Sequence, residues 1–301
     1  MRKIIKSTII TTFIMSLCLY GIYTASLRYG NTVFSMNDKK NDDYGYGNIK
    51  YPTNLSDKSG LFDITKFEVE SNKETVTFKY TIAEMDNYYN NTNGFSHLLL
   101  DTYISVNEEG LLTTLEYGAA ITFNEDYPWM YHIRITPEEY YIEKIVDVEH
   151  KISERIECDL EVLENNIYIS TSKENINENL KDSKYYVFSG GYDVLGSDKY
   201  RVVGADENEW YFSGGIDSLY QPNVIDIVTP VQKSILTYFM PPTYAVLSPV
   251  YNQVHQMLFR KELLYVLTIL LFGTKYVVLG REFIKEKRKV EDRKDNDNLN
   301  E

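Results

Sequence analysis

Cross-links are the first thing the folded part of this sequence cannot have. Only two cysteines occur in 301 residues, Cys18 inside an N-terminal apolar run and Cys158 alone in mid-chain. Stability must come from core burial or from a bound ion instead. A lipid anchor on Cys18 is disfavoured too, because Leu17 stands where a lipobox needs a small residue. Basic charge is scarce: 31 Lys and Arg face 44 Asp and Glu, a net charge of −13. With no basic patch in the middle of the chain, a phosphate backbone is repelled and nucleic acid drops out as a partner, whereas cations are favoured. Histidine is limited to His97, His132, His150 and His255, with no HExxH spacing. CxxCH, Walker, Rossmann, GxSxG and EF-hand patterns are all missing, which removes the enzyme classes they serve.

Apolar material, by contrast, is plentiful. Hydrophobic residues make up 43% of the chain, enough for a sizeable core, and tyrosine reaches 27 copies against 13 Phe and 2 Trp. Tyrosine favours strands and offers flat faces with a polar tip, suited to β-packing and also to stacking on sugar rings. Two long apolar runs lie at the ends. Between Lys6 and Arg28 stand 21 uncharged residues behind Arg2, Lys3 and Lys6, the layout of a signal peptide or a retained signal anchor. Residues 263–280, LLYVLTILLFGTKYVVLG, reach the length needed to cross a bilayer, and Lys275 sits where its side chain can snorkel. A buried helix is the other reading of this short run. Arg281, Lys285, Lys287, Arg288 and Lys289 outnumber Arg260 and Lys261, which predicts a cytoplasmic tail over 281–301 and a main domain outside the cell membrane.

Between these ends the pattern is that of strands. Phe67–Glu70 and Thr75–Tyr80 alternate with period two around a turn at Ser71–Glu74. Further strands are predicted over 98–106, 117–123, 131–135, 157–162, 166–170, 185–190, 200–203 and 210–212, and a short helix over 175–180. The spacing predicts an all-β fold, a sandwich or barrel of antiparallel strands, rather than βαβ units. Residues 231–240 are apolar enough for a helix. Residues 241–262 read as a juxtamembrane linker or as a segment packed under the sandwich.

Several stretches, in order, resemble the DOMON-like C-terminal domain of glucodextranases. They are Asn41-Asp42-Asp43-Tyr44-Gly45-Tyr46-Gly47, Tyr51-Pro52-Thr53, Phe62-Asp63-Ile64 and Asn93-Gly94-Phe95-Ser96. Trp210 to Gly215 and Pro222-Asn223-Val224-Ile225-Asp226 close the series. Where the family has Asp-Pro before the acidic pair this chain has Asn37-Asp38, and an Asn-Pro-Trp approach is replaced by Tyr88-Tyr89-Asn90-Asn91. The resemblance covers residues 38–240. It implies an antiparallel β-sandwich, a non-catalytic role and a carbohydrate or cell-envelope polymer as partner.

Carboxylates beside glycines can gather Ca²⁺, which takes about six to eight oxygens. Asp42, Asp43 and Asp63 are the leading candidates, followed by Asp217 and Asp226. Turn and cap carboxylates on an acidic surface would look the same. Tyr44, Tyr46, Tyr88, Tyr89 and Trp210 are the candidate sugar platforms. Glu108-Glu109 and Glu138-Glu139 read as exposed charge rather than a hydrolytic pair. An alternative reading is a haem-binding or electron-transfer module: Met130 and His132 fall on one face of a strand, and distant DOMON relatives hold haem through Met and His.

Overall fold

The structure, a computed structural model, describes residues 31–250 apart from Tyr117, residues 252–253, and residues 276, 278–285 and 287–289, which are helical. Residues 31–254 form one compact unit. Among the described residues no helix is long and apolar enough to cross a membrane. The span expected within 1–30 lies outside the described residues, as does that at 263–280 except for Tyr276 and 278–280.

The unit is built from two antiparallel sheets. The first contains β1 (Thr32–Asn37), β2 (Ile64–Ser71), β3 (Thr75–Ile82), β9 (Asp159–Leu163) and β10 (Asn166–Ser172), in the order β1-β2-β3-β10-β9. The second contains β4 (Leu98–Ser105), β6 (Tyr131–Ile135), β7 (Tyr140–Asp147), β8 (Ile152–Ile156), β11 (Lys184–Gly191) and β12 (Asp226–Ile227), in the order β12-β11-β4-β6-β7-β8. A small parallel pair joins β5 (Ile121–Phe123) to β13 (Ala245–Leu247).

Alternation decides which face is inside. In β3 the buried positions Val76, Phe78, Tyr80 and Ile82 alternate with partly exposed ones, so one face of the first sheet is core and the other meets solvent. Phe34, Phe67 and Tyr185 meet between the sheets, with Phe34 and Tyr185 ring centroids 4.4 Å apart. The hydroxyls of Tyr80 and Thr102 join one sheet to the other at 2.8 Å. Each fully buried Phe here contributes on the order of 2–3 kcal/mol. β4 is buried on both faces. Its inner face meets the first sheet, and its outer face carries Asp101 and Tyr103, which Phe123 of β5 and the loop residues Trp129 and Tyr200 cover.

Several expectations change. β1, β7 and β8 join the strands read from the sequence, and β1 extends the domain upstream of residue 38. Residues 200–203 and 210–212 make only isolated bridges, because buried Val203 and Phe212 anchor a loop whose middle, 206–209, is exposed and acidic. No helix forms at 175–180: Lys173 Nζ donates to the carbonyls of Ile176 and Glu178, groups a helix would use itself. Residues 245–250 belong to the sandwich, since Ala245 and Leu247 are fully buried in β13 and Val250 bridges Tyr185. Helix α1 (Gln232–Thr237) forms within the apolar 231–240 stretch. The two ends of the unit meet: Gln253 N–H donates to the Ser35 carbonyl at 2.7 Å, and the Asn252 amide donates to Val33.

Candidate functional site

At one end of the sandwich four carboxylates converge from separate parts of the chain. Asp38 follows β1, Asp42 lies in the turn after it, Asp63 precedes β2 and Asp226 opens β12. Each is placed by backbone or neighbouring groups: Thr229 N–H donates to Asp38 at 3.2 Å, Asn41 N–H to Asp63 at 2.6 Å and Ile64 N–H to Asp226 at 2.7 Å. Gln232 of α1 closes the group, its amide donating to the Asp42 carbonyl while its oxygen accepts from Ile227 N–H. Each carboxyl nevertheless keeps one buried oxygen without a hydrogen-bond partner: Asp38 Oδ2, Asp42 Oδ1, Asp63 Oδ1 and Asp226 Oδ1. Asp38, Asp42 and Asp226 each offer an oxygen within 4.8 Å of the others. Burial, with help from the neighbouring carboxylates, pushes Asp38 up to about 8, Asp63 up to about 6, and Asp226 well above the carboxylate range. Orphaned hard oxygens at this spacing fit a divalent cation, which would satisfy the oxygens and relieve the repulsion at once.

Asp42, Asp63 and Asp226 are thus brought together, and Asp38, which sequence reasoning passed over, joins them. Asp43 lies beside the group but is engaged elsewhere, accepting from the Tyr51 hydroxyl. Asp217 is not brought to them: at φ +51° its carboxylate accepts from Ala205 N–H at 2.8 Å and closes a turn of the 204–217 loop.

The aromatic candidates divide in the same way. Tyr46 is buried, its hydroxyl donating to Gln221 Oε1 at 3.2 Å, so its face cannot meet a sugar. Tyr44 is partly buried in a shallow groove with Asp42, Lys39 and Tyr238. Tyr89 and Trp210, 54% and 61% exposed, line one cleft of about 370 Å³. Tyr88 flanks it, edge-on to Tyr89 at 5.0 Å. Tyr192, His97, Asp193, Leu195 and Arg201 are among the residues of its walls.

A buried charge network supports the cleft's loop from below. Arg134 of β6 makes a two-pronged bond to Asp101 of β4, with Nε and Nη2 each 2.9 Å from a carboxylate oxygen. The Tyr200 hydroxyl donates to the same carboxylate at 2.5 Å, pinning the 192–201 loop onto the sheet. Gly190 permits this approach, since a side chain there would meet the Tyr200 ring at 2.6 Å. His132 is held on both ring nitrogens, by Asp101 at 2.8 Å and Glu143 at 2.7 Å. Neither nitrogen is left to ligate iron, so the Met130–His132 haem reading fails at the histidine.

The fold and its cleft place the chain in the class of two-sheet all-β modules whose loops carry the recognition surface. Residues 33–249 match the C-terminal binding-module, SLH-like, of glucodextranase, and the chain belongs to that family. The matched unit is a binding module and not a catalytic domain. No curated protein matches the chain.

Proposed function

We propose that this chain is a non-catalytic carbohydrate-binding protein that takes a saccharide at the cleft of Tyr89, Tyr192 and Trp210. The observation that carries the reading is the exposure of the Tyr89 and Trp210 rings along one concave surface, with Tyr192 buried beneath, in a member of a binding-module family. Aromatic faces desolvate the apolar face of a sugar ring while leaving its hydroxyls to polar neighbours. Ca²⁺ would be held by Asp38, Asp42 and Asp226, with Asp63 adjoining. It would act as a structural tie, because these residues fasten the ends of β1, β2 and β12. The apolar flanks at 7–27 and 263–280 would anchor the domain on the outer face of the cell membrane, with the basic tail inside.

Retention of full-length protein on immobilised glucans and cell-wall polysaccharides tests the carbohydrate reading. Loss of retention in Trp210→Ala, with the fold unchanged by circular dichroism, is the expected result. Failure of the unaltered protein to bind any of these polymers would overturn it. Protease shaving of intact cells tests the placement: cleavage within 31–250 is expected, and protection of that region would refute it.

A further inference from the structure

The cleft contains two polar groups that the fold itself leaves unused. Arg201 is placed by its backbone, whose N–H donates to the Gly191 carbonyl at 2.7 Å. Its guanidinium makes no hydrogen bond or ion pair among the described residues, and Nη1 is buried without a partner. Opposite in charge and on the same wall, Asp193 uses Oδ1 to accept from Leu195 N–H at 3.0 Å. His97 lies deeper, its side chain 2% exposed and both ring nitrogens without hydrogen-bond partners. Burial holds both the His97 imidazole and the Arg201 guanidinium below their ordinary values, against the opposing pull of Asp86 on the first and Asp193 on the second. A guanidinium nitrogen that is buried and unpaired is costly unless a ligand completes it.

The charge around the cleft decides which ligand that is. Arg201 is the one cationic side chain among the lining residues, and Asp193 offsets it. Asp86 lies 4.0 Å from His97, and Glu138 and Glu139 act on Tyr192. With the chain at −13 overall, a polyanion approaching this wall is repelled. A neutral sugar is not. Adjacent hydroxyls on a pyranose present an acceptor edge to a planar donor fork and a donor to a carboxylate, the pairing that Arg201 and Asp193 offer. The volume, about 370 Å³, is near the lower end of small-ligand sites at about 300–1,000 Å³, and suits a short saccharide stretch.

Resting on the carbohydrate reading above, we infer that Arg201 and Asp193 read adjacent hydroxyls of a neutral sugar ring stacked on Trp210 and Tyr89. The module therefore selects neutral glycans and rejects uronate polymers.

The test is a mixed array of neutral α- and β-glucan oligosaccharides and oligouronates, read with full-length protein and with Arg201→Gln, Arg201→Lys and Trp210→Ala. Neutral oligosaccharides bind and oligouronates bind at least about tenfold more weakly. Arg201→Gln loses about tenfold in affinity, and Arg201→Lys, which keeps the charge but not the fork, also loses affinity. If Trp210→Ala weakens binding but Arg201→Gln leaves it unchanged, or if oligouronates bind as well as neutral chains, the Arg201–Asp193 assignment is overturned and the carbohydrate reading stands. If no glycan of either kind binds the unaltered protein, both fall together. Circular dichroism and melting of each variant separate a ligand effect from misfolding.

Discussion

Consider Asp38, Asp42 and Asp226 with all three carboxylates ionised and no cation among them. At 4.8 Å and an effective dielectric of about 20, each pair repels by about 3 kcal/mol, or about 10 kcal/mol for the three. That rivals the whole stability of a domain, about 5–15 kcal/mol. Without a cation the group therefore keeps protons, in line with Asp38 at about 8 and Asp226 well above the carboxylate range. A divalent ion entering at pH 7 must displace them, so its affinity rises as pH climbs toward 8. Ca²⁺ at 100 times its Kd adds about 2.7 kcal/mol, which for a domain of this size raises the melting temperature by roughly 5–10 °C. The assay is thermal melting of the full chain in chelator or in excess Ca²⁺ at pH 6, 7 and 8. Titration calorimetry in two buffers of different ionisation enthalpy counts the protons released. Asp226→Asn should abolish the calcium response while the ion-free protein melts no lower, since the amide replaces a carboxyl that is already protonated there. Coincident melting curves with chelator and with Ca²⁺ would refute the reasoning, as would binding that releases no protons.

Asp101→Asn should cost about 3–5 kcal/mol in urea unfolding, because it strips the two-pronged partner from buried Arg134 and leaves it only the half-exposed Glu116; a loss below about 1 kcal/mol would contradict the network's role. Burial raises the Asp101 carboxyl, but Arg134 and His132 outweigh it and hold it well below the usual range, and Glu143 is likewise lowered. Both folded values lie below the unfolded ones, so their stabilisation is present above about pH 4 and is lost as acid takes the pH through the folded values. The urea midpoint should fall as pH drops from about 4 toward about 2, and fall less in Asp101→Asn; an unchanged slope would argue against it. His132 works in the opposite sense: burial lowers it, but Asp101 and Glu143 raise it further. Its share is full below about pH 6.5 and fades as pH rises through the folded value. Tyr80→Phe strands the Thr102 hydroxyl between the sheets and should cost about 1–2 kcal/mol by chemical denaturation.

Strands with one wet face were the legible part of the sequence. β2, β3 and β10 alternate because one side of their sheet meets solvent, and period two survives in the residues. β7 reads Tyr-Tyr-Ile-Glu-Lys-Ile-Val-Asp, and its Glu143 is buried on His132, so polarity there does not mark the outside. Edge strand β8 carries polar residues between Ile152 and Ile156, too few apolar positions to announce itself. Three of the four cluster carboxylates were legible, Asp42, Asp63 and Asp226, but not their convergence with Asp38. Asp42 and Asp63 sit beside recognisable turns, but Asp38 is joined to Asp226 only by the fold, across most of the domain, and no local spacing could pair them. The same limit applies to Arg201. Its significance is the lack of a partner, and a missing hydrogen bond leaves no trace in composition.

The bond from Gln253 to Ser35 has a consequence for chain connectivity. A domain whose start and finish lie side by side is topologically close to a ring. A short linker joining residues 31 and 253, with new ends opened in the exposed turn at 149–150, would give a circular permutant with every strand neighbour preserved. By the same logic the sandwich can be spliced into a loop of a host protein without forcing the host's two attachment points apart.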